Sequence, residues 1–170
     1  MHRLALLWYF FTMKAAIIFG SASDTEVMKK AAVVFKDFGV SYTTHILSAH
    51  RAPELLVQAL RDLEIDGAEV IIAGAGLAAH LPGVIASLTI LPVIGVPVCS
   101  GGLGGLDALL SIVQMPKPVP VATVGVNNAA NAAYLACEIF ALKYPEIKQK
   151  LVDFRKKMKE NLAREEKIEL

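Results

Sequence analysis

The chain has 170 residues, 55% of them apolar, with 17 basic against 16 acidic side chains. That length supports one domain with a full core, and the balanced charge excludes the overall field that draws in nucleic acid or an acidic membrane. Two cysteines, Cys99 and Cys137, lack metal-ligand spacing; they argue against a disulfide scaffold or a zinc centre and make a reducing cytoplasm the default.

Residues 1–12, "MHRLALLWYFFT", imitate a signal peptide, but no small-residue cleavage site follows and the apolar run is too short to span a bilayer. Met13 reads as a second possible start, which makes 1–12 an extension outside a single domain over 13–170. The alternative is an extra strand or an interface arm.

Ala15 to Phe19 is a short apolar run closed by Gly20, the pattern of a buried parallel strand. Ser21-Ala22-Ser23-Asp24 leads into a helix that Gly39 ends. Its Val27, Ala31, Val34, Phe35 and Phe38 share one face. Tyr42 to Leu47 is the second strand. Pro53 suits the first turn of the next helix, on which Leu56, Leu60 and Leu63 align. Glu69 to Ala73 is the third strand, followed by the loop "GAGLAAHLPG" and a short helix near Val84 to Leu88. Pro92 to Val96 is the fourth strand. The run "CSGGLGGLD", 99–107, reads as a mobile loop that either closes over a site or merely connects. A Pro-rich connector, Met115 to Pro120, precedes the fifth strand at Val121 to Val124.

Two more helices follow. Asn127 to Leu142 is crowded with alanine, which suits close contact between subunits. So does the apolar share of the chain, which exceeds the roughly 45–50% of ordinary soluble domains. From Tyr144 an amphipathic helix begins, with Pro145 in its first turn and Ile147, Leu151, Phe154, Met158 and Leu162 on one side. It either folds back on its own domain or reaches over a neighbour.

Strands alternating with helices predict a doubly wound α/β sheet, whose ligand lies beyond the carboxyl ends of the strands. That rule selects three segments. In "GSASD", Gly20, Ser21 and Ser23 suit a phosphate at a helix start, although Ser23 and Glu26 also have capping-box spacing. It is neither a Walker loop nor a dinucleotide fingerprint. In "SAHR", His50 can exchange protons near neutral pH and Arg51 can hold a phosphate or carboxylate. His45, inside its strand, reads as structural. In "AGAGLAAHLPG", small residues let backbone approach a ligand, and His80 stands at the next helix, where a plain cap is an equal reading.

Those three segments, with "SIVQMP", occur in an order and spacing that resemble the N5-carboxyaminoimidazole ribonucleotide mutase family of purine biosynthesis, also called the phosphoribosylaminoimidazole carboxylase catalytic-subunit family. The resemblance runs from about Ala15 to the last helix. It implies a cytoplasmic homo-octamer with a flavodoxin-like three-layer αβα sandwich, a central parallel sheet and an extra C-terminal helix. It implies transfer of a carboxylate from the exocyclic nitrogen of an imidazole ribonucleotide to ring carbon 4, without metal, nucleotide cofactor or biotin. A carboxyaminoimidazole ribonucleotide synthetase is the implied functional partner. By motif match, Ser21, Ser23 and Asp24 hold the ribose 5-phosphate end, with Arg51 also on the phosphate. Ser48, Ala49, Gly76, Ala78 and His80 line the imidazole and carboxylate end, and His50 is the acid/base.

Leu77 stands where many bacterial mutases have glycine. A sister class that takes up free carbon dioxide has a third loop closer to "AGRSN", so this chain sides with the mutases. The competing expectations are a 5-aminoimidazole ribonucleotide carboxylase using free carbon dioxide, a flavin-binding flavodoxin-like protein, and a non-catalytic assembly subunit.

Overall fold

Alternate residues of the first strand, β1 (Lys14–Phe19), face two different cores. Ala15, Ile17 and Phe19 join Met28, Ala31, Val34 and Phe35 of helix α1 (Thr25–Phe38). Ala16 and Ile18 join Leu56, Leu60 and Leu63 of α2 (Pro53–Ile65) on the other side. β3 (Val70–Gly76) divides the same way, Val70 and Ile72 to the first core and Ile71, Ala73 and Ala75 to the second. Burial on both faces is what a parallel sheet requires, and it explains the unbroken apolar runs in the sequence.

These facts come from a computed structural model that describes residues 13–165. The expectation of an extension at 1–12 lies outside the described residues. With β2 (Ser41–Ile46), β4 (Val93–Val98) and the two-residue β5 (Ala122–Thr123), the strands form one all-parallel sheet in the order β2-β1-β3-β4-β5. Helices α5 (Ala129–Phe140) and α6 (Pro145–Glu165) join α1 on one face. Helices α3 (Leu81–Leu88) and α4 (Leu106–Val113) join α2 on the other. The result is the expected flavodoxin-like three-layer sandwich. Among the described residues no helix is long and apolar enough to cross a membrane.

Several readings of the sequence need correction. β3 does not stop at Ala73 but runs to Gly76, paired with β4 through Gly76 opposite Val98. β4 likewise continues through Pro97. Proline is tolerated there because β5 pairs only with Ile94 and Gly95 and asks no ladder bond of residue 97. The run 99–107 is not shapeless. Gly101, Gly104 and Gly105 hold left-handed φ values of 74°, 61° and 86°, building turns that deliver the chain into α4, a helix the sequence reading missed. Ser23 does not cap α1. It lies inside a short 3-10 turn, Ala22–Asp24, which Ser21 caps.

The alanines of α5 are used within the chain. Ala129, Ala132, Ala133 and Ala136 are all fully buried, in one core with Ala31, Val34 and Phe35 of α1. Their size brings two helices of the same chain together, so the reading of a subunit contact there is overturned. Of the two courses expected of α6, its first half takes the fold-back onto its own domain. Ile147 and Leu151 are buried on this core, and Lys150 Nζ donates to the Phe38 carbonyl at 2.7 Å. Phe154 stacks on Tyr134, with ring centroids 5.1 Å apart. Beyond it, Met158 and Leu162 stay exposed.

Ala133→Leu should therefore destabilise the chain itself, by roughly 1–3 kcal/mol of overpacking. Thermal unfolding followed by circular dichroism should show a lower midpoint. An unchanged midpoint with altered assembly size would place these alanines against a partner instead.

Candidate active site

Three loops end at the carboxyl edge of the sheet and enclose a cleft of about 380 Å³. The first follows β1. Ser21 Oγ accepts from the Ser23 backbone N–H at 3.3 Å and lies 2.9 Å from Ser23 Oγ. Ser23 Oγ is also 3.1 Å from Asp24 Oδ1, so its one proton serves either neighbour. Asp24 is only 4% exposed, the one charged side chain among the described residues to be buried.

The second loop follows β2 and turns on Ser48, whose Oγ accepts from the Arg51 N–H at 3.3 Å and whose carbonyl accepts from the Ala52 N–H. The turn throws Arg51 back across the sheet edge. One of its Nη2 hydrogens goes to the Gly20 carbonyl at 2.6 Å, tying this loop to the first. A guanidinium has five N–H donors in a planar fork, so an anion can still be bound alongside.

The third loop follows β3. Ala79 N–H donates to the Leu77 carbonyl and His80 N–H to the Ala78 carbonyl, both at 2.8 Å, a tight pair of turns that presents His80 at the N-cap of α3. Gly76 has no room for a side chain. A Cβ there would lie 2.7 Å from Ser100 Oγ and 3.0 Å from the Val98 carbonyl oxygen.

The second and third loops meet at their histidines. His50 Nε2 and His80 Nδ1 are 2.8 Å apart, with rings edge to face at 89°. One ring therefore carries the hydrogen and the other the lone pair, and a shared proton can sit on either side. Both residues are exposed to solvent.

All of the residues singled out for a site line this one cleft: Ser21, Ser23, Asp24, Ser48, Ala49, His50, Arg51, Gly76, Ala78 and His80. His45 does not; it lies on the edge strand β2, half-buried, its Nε2 without a partner. The cleft wall also includes Gly20, read above with the first loop, and Ala75, Leu77, Leu81 and Ser100, which the sequence reading left out of the site. Ser100 follows β4, so the strand-end rule selects it as well, and its place in the cleft favours the site-closing reading of the run 99–107 over a mere connector. Among the described residues no group of three or more His, Cys, Asp or Glu side chains is placed to hold a metal ion. Cys137 is buried in the α1–α5 core, where desolvation pushes its thiol up to about 12 and leaves it unreactive.

Comparison with known proteins follows this geometry closely. The family described as AIR carboxylase matches residues 14–161. An N5-carboxyaminoimidazole ribonucleotide mutase of Pyrococcus abyssi is 61% identical over 146 residues, covering 86% of this chain and 84% of the relative. One of Pyrococcus horikoshii is 58% identical, covering 89% and 85%. Among solved structures, PurE of Treponema denticola superposes with a TM-score of 0.82 at 30% identity, covering 89% of this chain and 94% of that one.

Burial raises the Asp24 pKa above the ordinary carboxylate range, against smaller lowering effects of the Ser23 hydroxyl and the Ser21 backbone. An acid with a higher pKa in the folded chain holds its proton more tightly when folded. Its stabilising contribution is present at low pH and is lost as pH rises from the ordinary value through the raised one. Asp24→Asn, neutral throughout, should match the parent's melting temperature at low pH and exceed it near neutrality. Melting curves across the acid range check this. A difference that stays constant with pH would show that Asp24 has the same pKa folded and unfolded.

Proposed function

The chain belongs to the AIR carboxylase family, and from that premise we infer its chemistry: it carries out the N5-carboxyaminoimidazole ribonucleotide mutase reaction of purine biosynthesis, an isomerisation. The carboxylate leaves the exocyclic nitrogen and joins ring carbon 4. The observation that carries this reading at the level of residues is the His50–His80 contact in the same cleft as Ser21, Ser23 and Arg51. Proton-transfer and anion-binding groups thus line a single groove, as a phosphorylated heterocycle requires.

Roles follow from placement. Ser21, Ser23 and the Arg51 fork hold the ribose 5-phosphate end, and Asp24 accepts from ribose hydroxyls. Ser48, Ala49, Gly76 and Ala78 form the wall of the imidazole end, where small residues let the flat ring lie close to backbone. His50 protonates the nitrogen as its carboxylate departs as carbon dioxide. After carbon 4 has captured that carbon dioxide, the same histidine removes the ring proton. Protons balance over the cycle, so one residue serves both steps. His80 holds His50 in register and contacts the migrating carboxylate.

The strand order alone would also suit a flavin at this position. The lining residues include no phenylalanine, tyrosine or tryptophan to stack on an isoalloxazine, which favours the smaller ribonucleotide. A homo-octamer, a cytoplasmic setting and a synthetase that supplies the carboxyamino substrate belong to the same proposal. The exposed apolar side chains Leu103, Leu106, Leu110 and Val113 around α4, and Met158 and Leu162 on α6, support the assembly. The purified chain offered the carboxyamino-ribonucleotide, or 5-aminoimidazole ribonucleotide with bicarbonate, should turn over the first. Preference for the second would make it a carboxylase drawing on free carbon dioxide.

His50→Asn should lower turnover by at least ~10²–10⁴-fold, because it serves two proton transfers, while ribonucleotide binding survives. Single-turnover kinetics and equilibrium binding separate the two effects, and near-normal turnover would remove His50 from the chemistry. Arg51→Ala should weaken binding by roughly 1.5–3 kcal/mol, the worth of a charge-assisted bond. Affinities for the ribonucleotide and for its unphosphorylated nucleoside should then converge; unchanged discrimination between them would place the phosphate elsewhere.

A further inference from the structure

One cleft residue breaks a backbone rule. Leu77 has φ of 55°, in the left-handed region, and is one of two non-glycine residues there among those described. A leucine in that conformation costs energy that a glycine would not. The position is firmly set. Gly76 before it has no space for a Cβ, and the bonds from Ala79 and His80 back to the Leu77 and Ala78 carbonyls close the loop after it. Such an outlier persists where the side chain does something that glycine cannot.

The side chain points to what that is. Leu77 lines the cleft and is 54% exposed, whereas Leu81, the other leucine in the wall, is buried at 3%. A methyl group added at Gly101 would lie 3.0 Å from Leu77 Cδ2. The leucine thus reaches from the β3–α3 loop to bare backbone in the β4–α4 loop and closes the gap between them. It stands three residues from His80 in a loop that is otherwise glycine and alanine. The other exposed groups of the cleft are polar or small.

We propose that Leu77 is the retaining wall for the carbon dioxide that exists between the two halves of the reaction. This rests on the mutase reading above. Cleaving the N–C bond leaves its electron pair on nitrogen, which takes a proton, and frees neutral carbon dioxide. Carbon 4 then attacks the carbon of that molecule, and the ring proton leaves. Carbon dioxide has no charge for Arg51 and no hydrogen to donate to the histidines. Its oxygens accept only weak hydrogen bonds, so walls must do most of the holding while the ring is brought to bear, and each escape leaves 5-aminoimidazole ribonucleotide with one proton consumed. An apolar branch laid across two loops supplies such a wall at a point where glycine would leave an opening.

The test uses substrate carrying ¹³C in its carboxylate, in unlabelled bicarbonate buffer, with enzyme-free loss subtracted. The parent chain should keep the label in its product. Leu77→Ala and Leu77→Met both retain a Cβ and its backbone cost, and differ only in reach. Leu77→Ala should raise the ratio of released aminoimidazole ribonucleotide to product by on the order of tenfold, a change of about 1.4 kcal/mol between escape and capture. Leu77→Met should restore most of the retention. Leu77→Gly should leak as alanine does and melt no lower than the parent, since it relieves the left-handed strain.

Label retention in the alanine variant equal to the parent's overturns the proposal. So does equal leakage from the alanine and methionine variants, which would assign the effect to loop pose. A purely structural role would change melting temperature or turnover without moving the product ratio. A parent chain that ignores the carboxyamino substrate and uses only aminoimidazole ribonucleotide with bicarbonate would instead overturn the mutase reading.

Discussion

The site depends on β1 and β3 being neighbours in the sheet while the chain leaves them toward opposite faces. β1 feeds α1 on one side and β3 feeds α3 on the other. Their last shared rung is the bond from the Gly20 N–H to the Gly74 carbonyl at 3.2 Å. Beyond it the loops must diverge, and the gap between them is the cleft. Arg51 reaches into that gap from the β2 side and is fastened to Gly20, the residue at which β1 gives way to its loop. His50 and the Ser21–Ser23 turn are therefore held at the ends of adjacent strands, and no separate domain is needed to bring them together.

Residues at the cleft are poorly chosen for stability. Asp24 is buried and its ionised form is disfavoured, Leu77 is strained, and Gly76 and Ala78 contribute little apolar area. Two cores offset this. Each side chain of β1 from Ala15 to Phe19 is at least 97% buried, and α1 and α5 approach closely over alanine. Met28 illustrates the link between core and site. Its sulfur lies 2.3 Å from where a Gly74 Cβ would be, so α1 presses against the strand whose end carries the third loop.

The alternation of elements, the two-sided burial of the strands and the three site loops were legible in the sequence, because each rests on local chemistry: apolar runs, Pro53 at a helix start, Gly39 at a helix end. What was not legible rests on partners distant in sequence. Gly74 and Gly76 read as loop because glycine ends many strands; only the pairing with β4 shows them to be strand. The alanines of α5 are compatible with either an internal or an external neighbour, and α1 decides the matter. The approach of His50 to His80 joins residues thirty apart and follows only from the sheet order. Leu77 stands out in the sequence only as a departure from glycine; its φ is what marks it as strained.

The apolar surplus of the chain has a direction. After both faces of the sheet are covered, large apolar side chains remain exposed at many points, and two helices carry rows of them. Leu106, Leu110 and Val113 lie on α4, with Leu103 just before it, on the α2 side of the sandwich. Met158 and Leu162 lie on the outer half of α6, on the α1 side, where Arg155 pairs with Glu138 beside them. One self-complementary patch closes a dimer and goes no further, whereas a larger closed assembly needs at least two different contacts per chain. Two apolar rows on opposite faces meet that geometric minimum for the proposed octamer. They also relieve α5 of the task, since its alanines are already spent on holding α1.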